Sequence, residues 1–257
     1  MKKLFSVMLA FLMVTGCMSI TAFADDSSAT VYVSIADKGR LVAAQTKVTV
    51  TDIDGDNALT VNDALYAAHK AVYPGGAKDG YGYYTHKDYG LSISRLWGDT
   101  SGNFGYYINN SSCWSLADSV KSGDYLNAFV YSDSKKYSDK YCFFNDFTVT
   151  ADSNSDIELT LSSSGYDASW NPVTLPVANA EITVDGKATG VKTDANGKAT
   201  IQISGAGEHI ISAVSASETL VPPVCTAQIN GGIYASVLSA ITSFLSAIIN
   251  FILSIFA

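Results

Sequence analysis

Twelve consecutive residues, Asp52-Ile53-Asp54-Gly55-Asp56-Asn57-Ala58-Leu59-Thr60-Val61-Asn62-Asp63, put carboxylates at positions 1, 3, 5 and 12 of one short stretch. Alternate residues of a tight loop can turn inward together, and a hard divalent cation takes six to eight oxygen ligands, so the spacing predicts a calcium site. The Ala58 carbonyl at position 7 and Thr60 at position 9, through water, would complete the oxygen set. A second reading shares two of these residues. Thr60 followed three residues later by Asp63 is close to a capping box that opens a helix over Val61 to Val72, with Asp52, Asp54 and Asp56 as solvated turn residues. Only a metal accounts for three further acids at alternate positions.

This loop resembles that of an EF-hand, with two departures. Asn57 stands where the EF-hand has Gly, and Asn is the next residue most tolerant of the left-handed conformation. Asp63 stands where it has a bidentate Glu, and the shorter Asp followed by Ala64-Leu65 is similar to the dockerin form, although dockerins carry two copies and one is found here.

The elements that must hold the loop can be read on either side of it. Val31, Val33 and Ile35 alternate with Tyr32 and Ser34, Asp37-Lys38-Gly39-Arg40 is a turn, and Val48 and Val50 alternate again, which predicts a hairpin. After the loop, Val61, Leu65, Ala68 and Val72 recur at helical spacing until Pro74-Gly75-Gly76. Strands are predicted at Leu91 to Trp97, Phe104 to Ile108 and Tyr125 to Tyr131, with turns at Asn109-Asn110 and Lys121-Ser122-Gly123-Asp124. Trp97 and one of Tyr106 and Tyr107 are expected to point inward. Gly75 to Gly90, with five Gly and four Tyr, is predicted as a long loop. Its Tyr81, Tyr83, Tyr84 and Tyr89, with Trp114, are candidate ligand-binding residues, because amphipathic rings suit sugar, peptide or tetrapyrrole contact.

Trp97-Gly98, then Gly105-Tyr106-Tyr107-Ile108-Asn109-Asn110, then Val120-Lys121-Ser122-Gly123-Asp124 leading into a strand, resembles a β-grasp domain of unknown function that is similar to the C-terminal domain of transcobalamin. The resemblance covers about 100 residues. It implies a helix packed across a small mixed sheet, and it permits cobalamin or another tetrapyrrole as cofactor without supplying a residue-level signature.

Farther on, Asp185-Gly186 and Thr193-Asp194-Ala195-Asn196-Gly197-Lys198-Ala199 separate short strands at a spacing that predicts an all-β sandwich. This succession resembles the Ig-like and carboxypeptidase-regulatory-like modules of bacterial surface proteins, which implies a spacer and makes His209 a strand residue. The expected organisation is therefore a leader over 1–24, an α+β β-grasp domain over 25–145, an Ig-like sandwich over 146–230, and an apolar C-terminal helix over 231–257.

Both ends of the chain bear on location. Lys2-Lys3, the apolar run Leu4 to Val14 and Ala22-Phe23-Ala24 before Asp25 predict an export signal cleaved after Ala24; Val14-Thr15-Gly16-Cys17 offers a competing site that would leave Cys17 lipidated. The chain carries a net charge of −8, which loss of Lys2 and Lys3 takes to −10, so nothing in it attracts nucleic acid. Cys113, Cys142 and Cys225 fit no zinc pattern; either Cys113 pairs with Cys142 or the three are buried thiols. Ile233 to Ala257 has no charged residue and would run about 37 Å as a helix, enough to cross a bilayer. Its stripe of Ser236, Ser239, Ser243, Ser246, Asn250 and Ser254 suits membrane association through close helix packing, or self-association of copies.

No nucleophile elbow, zinc-protease helix, phosphate loop or dinucleotide fingerprint occurs, so a binding protein is expected and not an enzyme. Two functions follow. One is an exported, surface-associated calcium-binding protein that binds a ligand or mediates adhesion. The other is a structural or assembly protein whose tail drives membrane insertion or self-association, with no small-molecule ligand.

Overall fold

The computed structural model describes residues 27–231 except Tyr89, together with 241, 242, 244–246 and 248. The export leader with both cleavage sites lies outside the described residues, as does most of the tail stripe. Among the described residues no helix is long and apolar enough to cross a membrane.

The first module is built on the hairpin of β1 (Ser28–Asp37) and β2 (Arg40–Thr51). Lys38 and Gly39, at φ 50 and 79, form the turn, and two successive left-handed residues match the twist of the strands they join. Val31, Val33 and Ile35 are fully buried on one face of β1. Against that face packs α1 (Val61–Val72), which buries Val61, Ala64, Leu65 and Ala68. A helical turn α2 (Gly76–Gly80) and a separate hairpin, β3 (Gly82–His86) with β4 (Gly90–Arg95), follow. Then come β5 (Phe104–Ile108), β6 (Ser111–Ser112) and β7 (Tyr125–Val130), and the sheet runs β2-β1-β7-β5-β6 with β1 and β7 parallel.

The second module packs two five-stranded sheets around a core of its own. One contains β8 (Lys140–Phe144), β10 (Asp156–Tyr166), β11 (Pro172–Pro176), β14 (Lys198–Gln202) and β16 (Leu220–Val221). The other contains β9 (Thr148–Asp152), β12 (Glu181–Val184), β13 (Lys187–Lys192), β15 (Gly207–Val214) and β17 (Cys225–Asn230). It is a β-sandwich. β8 lies before residue 146 yet pairs with β10 and β16, so the second module's sheet begins at Lys140. The Asp185-Gly186 turn takes φ 51 and 73. In the second turn Asp194 accepts the N–H groups of Asn196 and Lys198, at 2.8 Å each. Gly197 sits there at φ 77 with the Leu161 carbonyl where a Cβ would be. Gly197→Ala therefore adds left-handed strain to a backbone collision, and chemical denaturation should register a loss of about 2 kcal/mol or more.

The modules meet through the face of the first sheet that turns away from α1. Tyr107 on β5 stacks on Tyr141 of β8 with ring centroids 3.6 Å apart and planes 2° apart. Ala36, Phe129, Tyr141 and Val221 close a small core between them. Gln45 bulges out of β2 at φ 38. Its amide donates to the carbonyls of Phe147 and Val224, and its carbonyl accepts from the Thr226 hydroxyl.

One expectation changes, one holds and one open alternative is decided. Gly75 to Gly90 is a helical turn and a hairpin where a loop was predicted, because Tyr83 and Tyr84 pair with Ile93 and Ser92 across β4. Tyr106 packs on the α1 core while Tyr107 faces the junction, so strand alternation holds but both faces are covered. Cys113, Cys142 and Cys225 are all free, and burial pushes the three thiols up to about 11, 12 and 12, which leaves them protonated and unreactive at neutral pH.

Candidate metal centre

The link from β2 to α1 is the acidic loop, and its backbone is organised by its own carboxylates. Asp52 accepts the N–H groups of Gly55 at 2.7 Å and Asn57 at 2.9 Å, and these bonds hold its carboxyl below the usual range. Asn57 is left-handed at φ 64, the conformation its position in the twelve was expected to need. At the far end Asp63 is fully buried. It accepts Ile53 N–H, Thr60 N–H and the Thr60 hydroxyl, at 3.0, 2.8 and 2.6 Å. Thr60 in turn receives the Asp63 N–H, which closes the capping box of α1.

One carboxylate oxygen from each of Asp52, Asp54 and Asp63 lies within 4.8 Å of the other two. A carboxylate pair of oxygens has about four acceptor directions, and three donors leave Asp63 one free for an ion. Desolvation, then the neighbouring charges of Asp56 and Asp63, raise the carboxyl of Asp54 above its ordinary value. A cation placed among these three groups would reverse that repulsion, so the donor set fits a hard divalent ion.

The other predicted ligands stand differently. Asp56 falls outside the cluster and caps the turn by accepting Ala58 N–H at 2.8 Å. Ala58 enters the loop's bonding through that N–H. Thr60 donates its hydroxyl to Asp63 at 2.6 Å in a buried capping box, which is the shared role expected of it.

Asn62 is the residue that spacing missed. It is fully buried, donates its amide to Asp54 Oδ2 at 3.0 Å, and accepts the Tyr81 hydroxyl at 2.8 Å. This chain ties the acidic cluster to the helix core. The only signal was a polar side chain one place before Asp63, on the inward side of the first helical turn.

Tyr81 is a correction. At 5% exposure, with its ring 5.2 Å from that of His69, it belongs to the core and is withdrawn from the aromatic surface. Tyr83 and Tyr84 are exposed on β3, Trp114 is 91% exposed, and Tyr89 lies outside the described residues.

No family model and no curated protein matches this chain. Among solved structures, the D0-D1 domain of intimin is 15% identical, with 77% of this chain and 94% of that chain covered at a TM-score of 0.26. Tandem Ig repeats of Dlar are 10% identical over 79% and 95% at 0.27. The N-terminal four Ig domains of a Dscam1 isoform are 11% identical over 79% of this chain, which spans 43% of that chain, at 0.22. These are Ig-like domain proteins, and at such scores the sandwich assignment rests on the strand pairing given above.

Proposed function

We propose that this chain is an exported, surface-associated calcium-binding module that binds a ligand or mediates adhesion and performs no catalysis. The observation that carries the metal reading is the convergence of Asp52, Asp54 and buried Asp63 within 4.8 Å. Extracellular calcium is abundant enough to fill a weak site. The ion would brace the start of α1 and, through Asn62 and Tyr81, the core beneath it.

The order β2-β1-β7-β5-β6, with β1 parallel to β7 and one helix on the inner face, supports the β-grasp reading of the first module. Through that family a tetrapyrrole enters as one ligand class, and exposed Tyr83, Tyr84 and Trp114 are the surface that would meet it. The tail is assigned to membrane association.

Calcium titration of the full chain in mild detergent tests the metal. At a free concentration one hundred times Kd, calcium should stabilise the fold by about 2.7 kcal/mol, read as a rise in melting temperature. Asp52→Asn combined with Asp54→Asn should abolish the rise, with magnesium as the control ion. A rise of equal size in that variant, or no heat in calorimetry with millimolar calcium, would remove this loop as the site.

A further inference from the structure

A groove of about 520 Å³ opens where the back of the first sheet diverges from the outer face of the second module, beside the Gln45 contact. One wall is a cross-strand row: Lys47 on β2 is the partner of Tyr32 on β1, and Tyr32 is the partner of Tyr125 on β7. The facing wall is another row, in which Glu208 on β15 pairs with Gln228 on β17 and Gln228 with Thr150 on β9. The first wall is braced from behind: Phe147, outside the lining, stacks on Tyr125 with centroids 4.1 Å apart, and Tyr125 stacks on Tyr32 at 4.9 Å. All six wall residues line the groove.

We infer that this groove binds a neutral oligosaccharide. A sugar ring presents an apolar C–H face and a rim of hydroxyls, so its site needs an aromatic face flanked by fixed donors and acceptors. The face of Tyr32 that turns away from Tyr125, beside Lys47, supplies the first, and Tyr125, covered by Tyr32 on one side and by Phe147 on the other, holds that ring in place. An amide, a carboxylate, an ammonium and a hydroxyl supply the second. Lys47, Thr150, Glu208 and Gln228 have no side-chain hydrogen bond or ion pair among the described residues, so all four can be spent on a ligand. One cation and one anion balance across the walls, which selects an uncharged guest, and the acidic chain repels polyanions. The volume lies within the roughly 300–1,000 Å³ of small-ligand clefts, which form preferentially at domain junctions.

The inference rests on the ligand-binding part of the proposed function and names its ligand class and place. The test is the full chain in mild detergent on an array of neutral hexose and N-acetylhexosamine oligosaccharides, with acidic glycans and peptides printed alongside. Neutral glycans should be retained, and titration with the best of them should show about tenfold weaker binding for Gln228→Ala and for Tyr32→Leu. Gln228 is exposed and Tyr32→Phe keeps the ring, so Gln228→Ala should melt as the parent does and Tyr32→Phe should keep most of the affinity. Neutral glycans bound equally well by Gln228→Ala and Tyr32→Leu would overturn the groove while leaving ligand binding intact elsewhere on the chain. Silence on neutral glycans, or preference for acidic glycans or peptides, would overturn the ligand class. Retention of neutral glycans by a chain that takes up no calcium would leave the groove standing and remove only the metal from the proposed function.

Discussion

Tyr141→Ala should lower stability by about 3–5 kcal/mol, the usual cost of deleting a buried aromatic ring. The ring lies flat on Tyr107 at 3.6 Å and packs among Phe129, Ala36 and Val221, so its removal opens a cavity at the junction of the two modules. Its hydroxyl accepts from Asn127 at 2.9 Å and donates to Asn110 at 3.0 Å. Burial drives that hydroxyl far above the normal tyrosine range, so it remains a donor at any ordinary pH. Tyr141→Phe keeps the stack and loses only these two bonds, for which about 1–2 kcal/mol is expected. Differential scanning calorimetry separates the effects: the alanine variant should resolve the melting of the two modules, and the phenylalanine variant should not. A single unshifted transition in Tyr141→Ala would show that the junction contributes nothing to holding the modules together.

Acid should destabilise the first module through His69. The side chain is fully buried, and burial lowers its pKa from 6.5 to about 4, against a smaller opposing contribution from the Leu65 carbonyl. Nδ1 lies 2.7 Å from that carbonyl and Nε2 is 3.1 Å from the Trp97 N–H. A carbonyl only accepts and a backbone N–H only donates, so the ring is neutral and carries its proton on Nδ1. Between pH 6.5 and 4 the unfolded chain binds a proton that the folded chain refuses. Stability contributed by this residue is therefore complete above pH 6.5 and is lost as pH falls toward 4, amounting to about 3 kcal/mol across the window. Urea unfolding at pH 7 and pH 4.5 should show most of that difference in the parent and little of it in His69→Gln. A His69 imidazole resonance that titrates near 6.5 in the folded chain would refute the argument.

How much could be read in advance follows from how local each signal is. The Lys38-Gly39, Asn109-Asn110 and Asp185-Gly186 turns all take left-handed φ values, and the Thr60–Asp63 box opens α1, because each is decided within a few residues. The acidic loop was legible for the same reason, down to the left-handed Asn57. The parts played by Thr60 and Asp56 were not, since each could face an ion or its own backbone and spacing does not choose between them. Tyr81 looked like its neighbours Tyr83 and Tyr84 until helix α1 placed Asn62 beneath its hydroxyl. The junction was the least visible feature. Tyr107 meets Tyr141, and Gln45 meets Phe147 and Thr226, across separations that no periodic pattern records. The groove inherits that invisibility because its two walls come from different modules.

The parallel pairings impose a timetable on maturation. β1 is hydrogen-bonded to β7 with Tyr32 opposite Tyr125, and β9 is bonded to β17 with Thr148 opposite Thr226. In each module an early strand waits for a late one, so a chain synthesised from its amino end cannot complete either sheet until the last partner has emerged. Such distant closures are slow to nucleate, and the waiting strands expose unpaired edges meanwhile. Folding of this protein should consequently be limited by what shields those edges before the closing strand arrives.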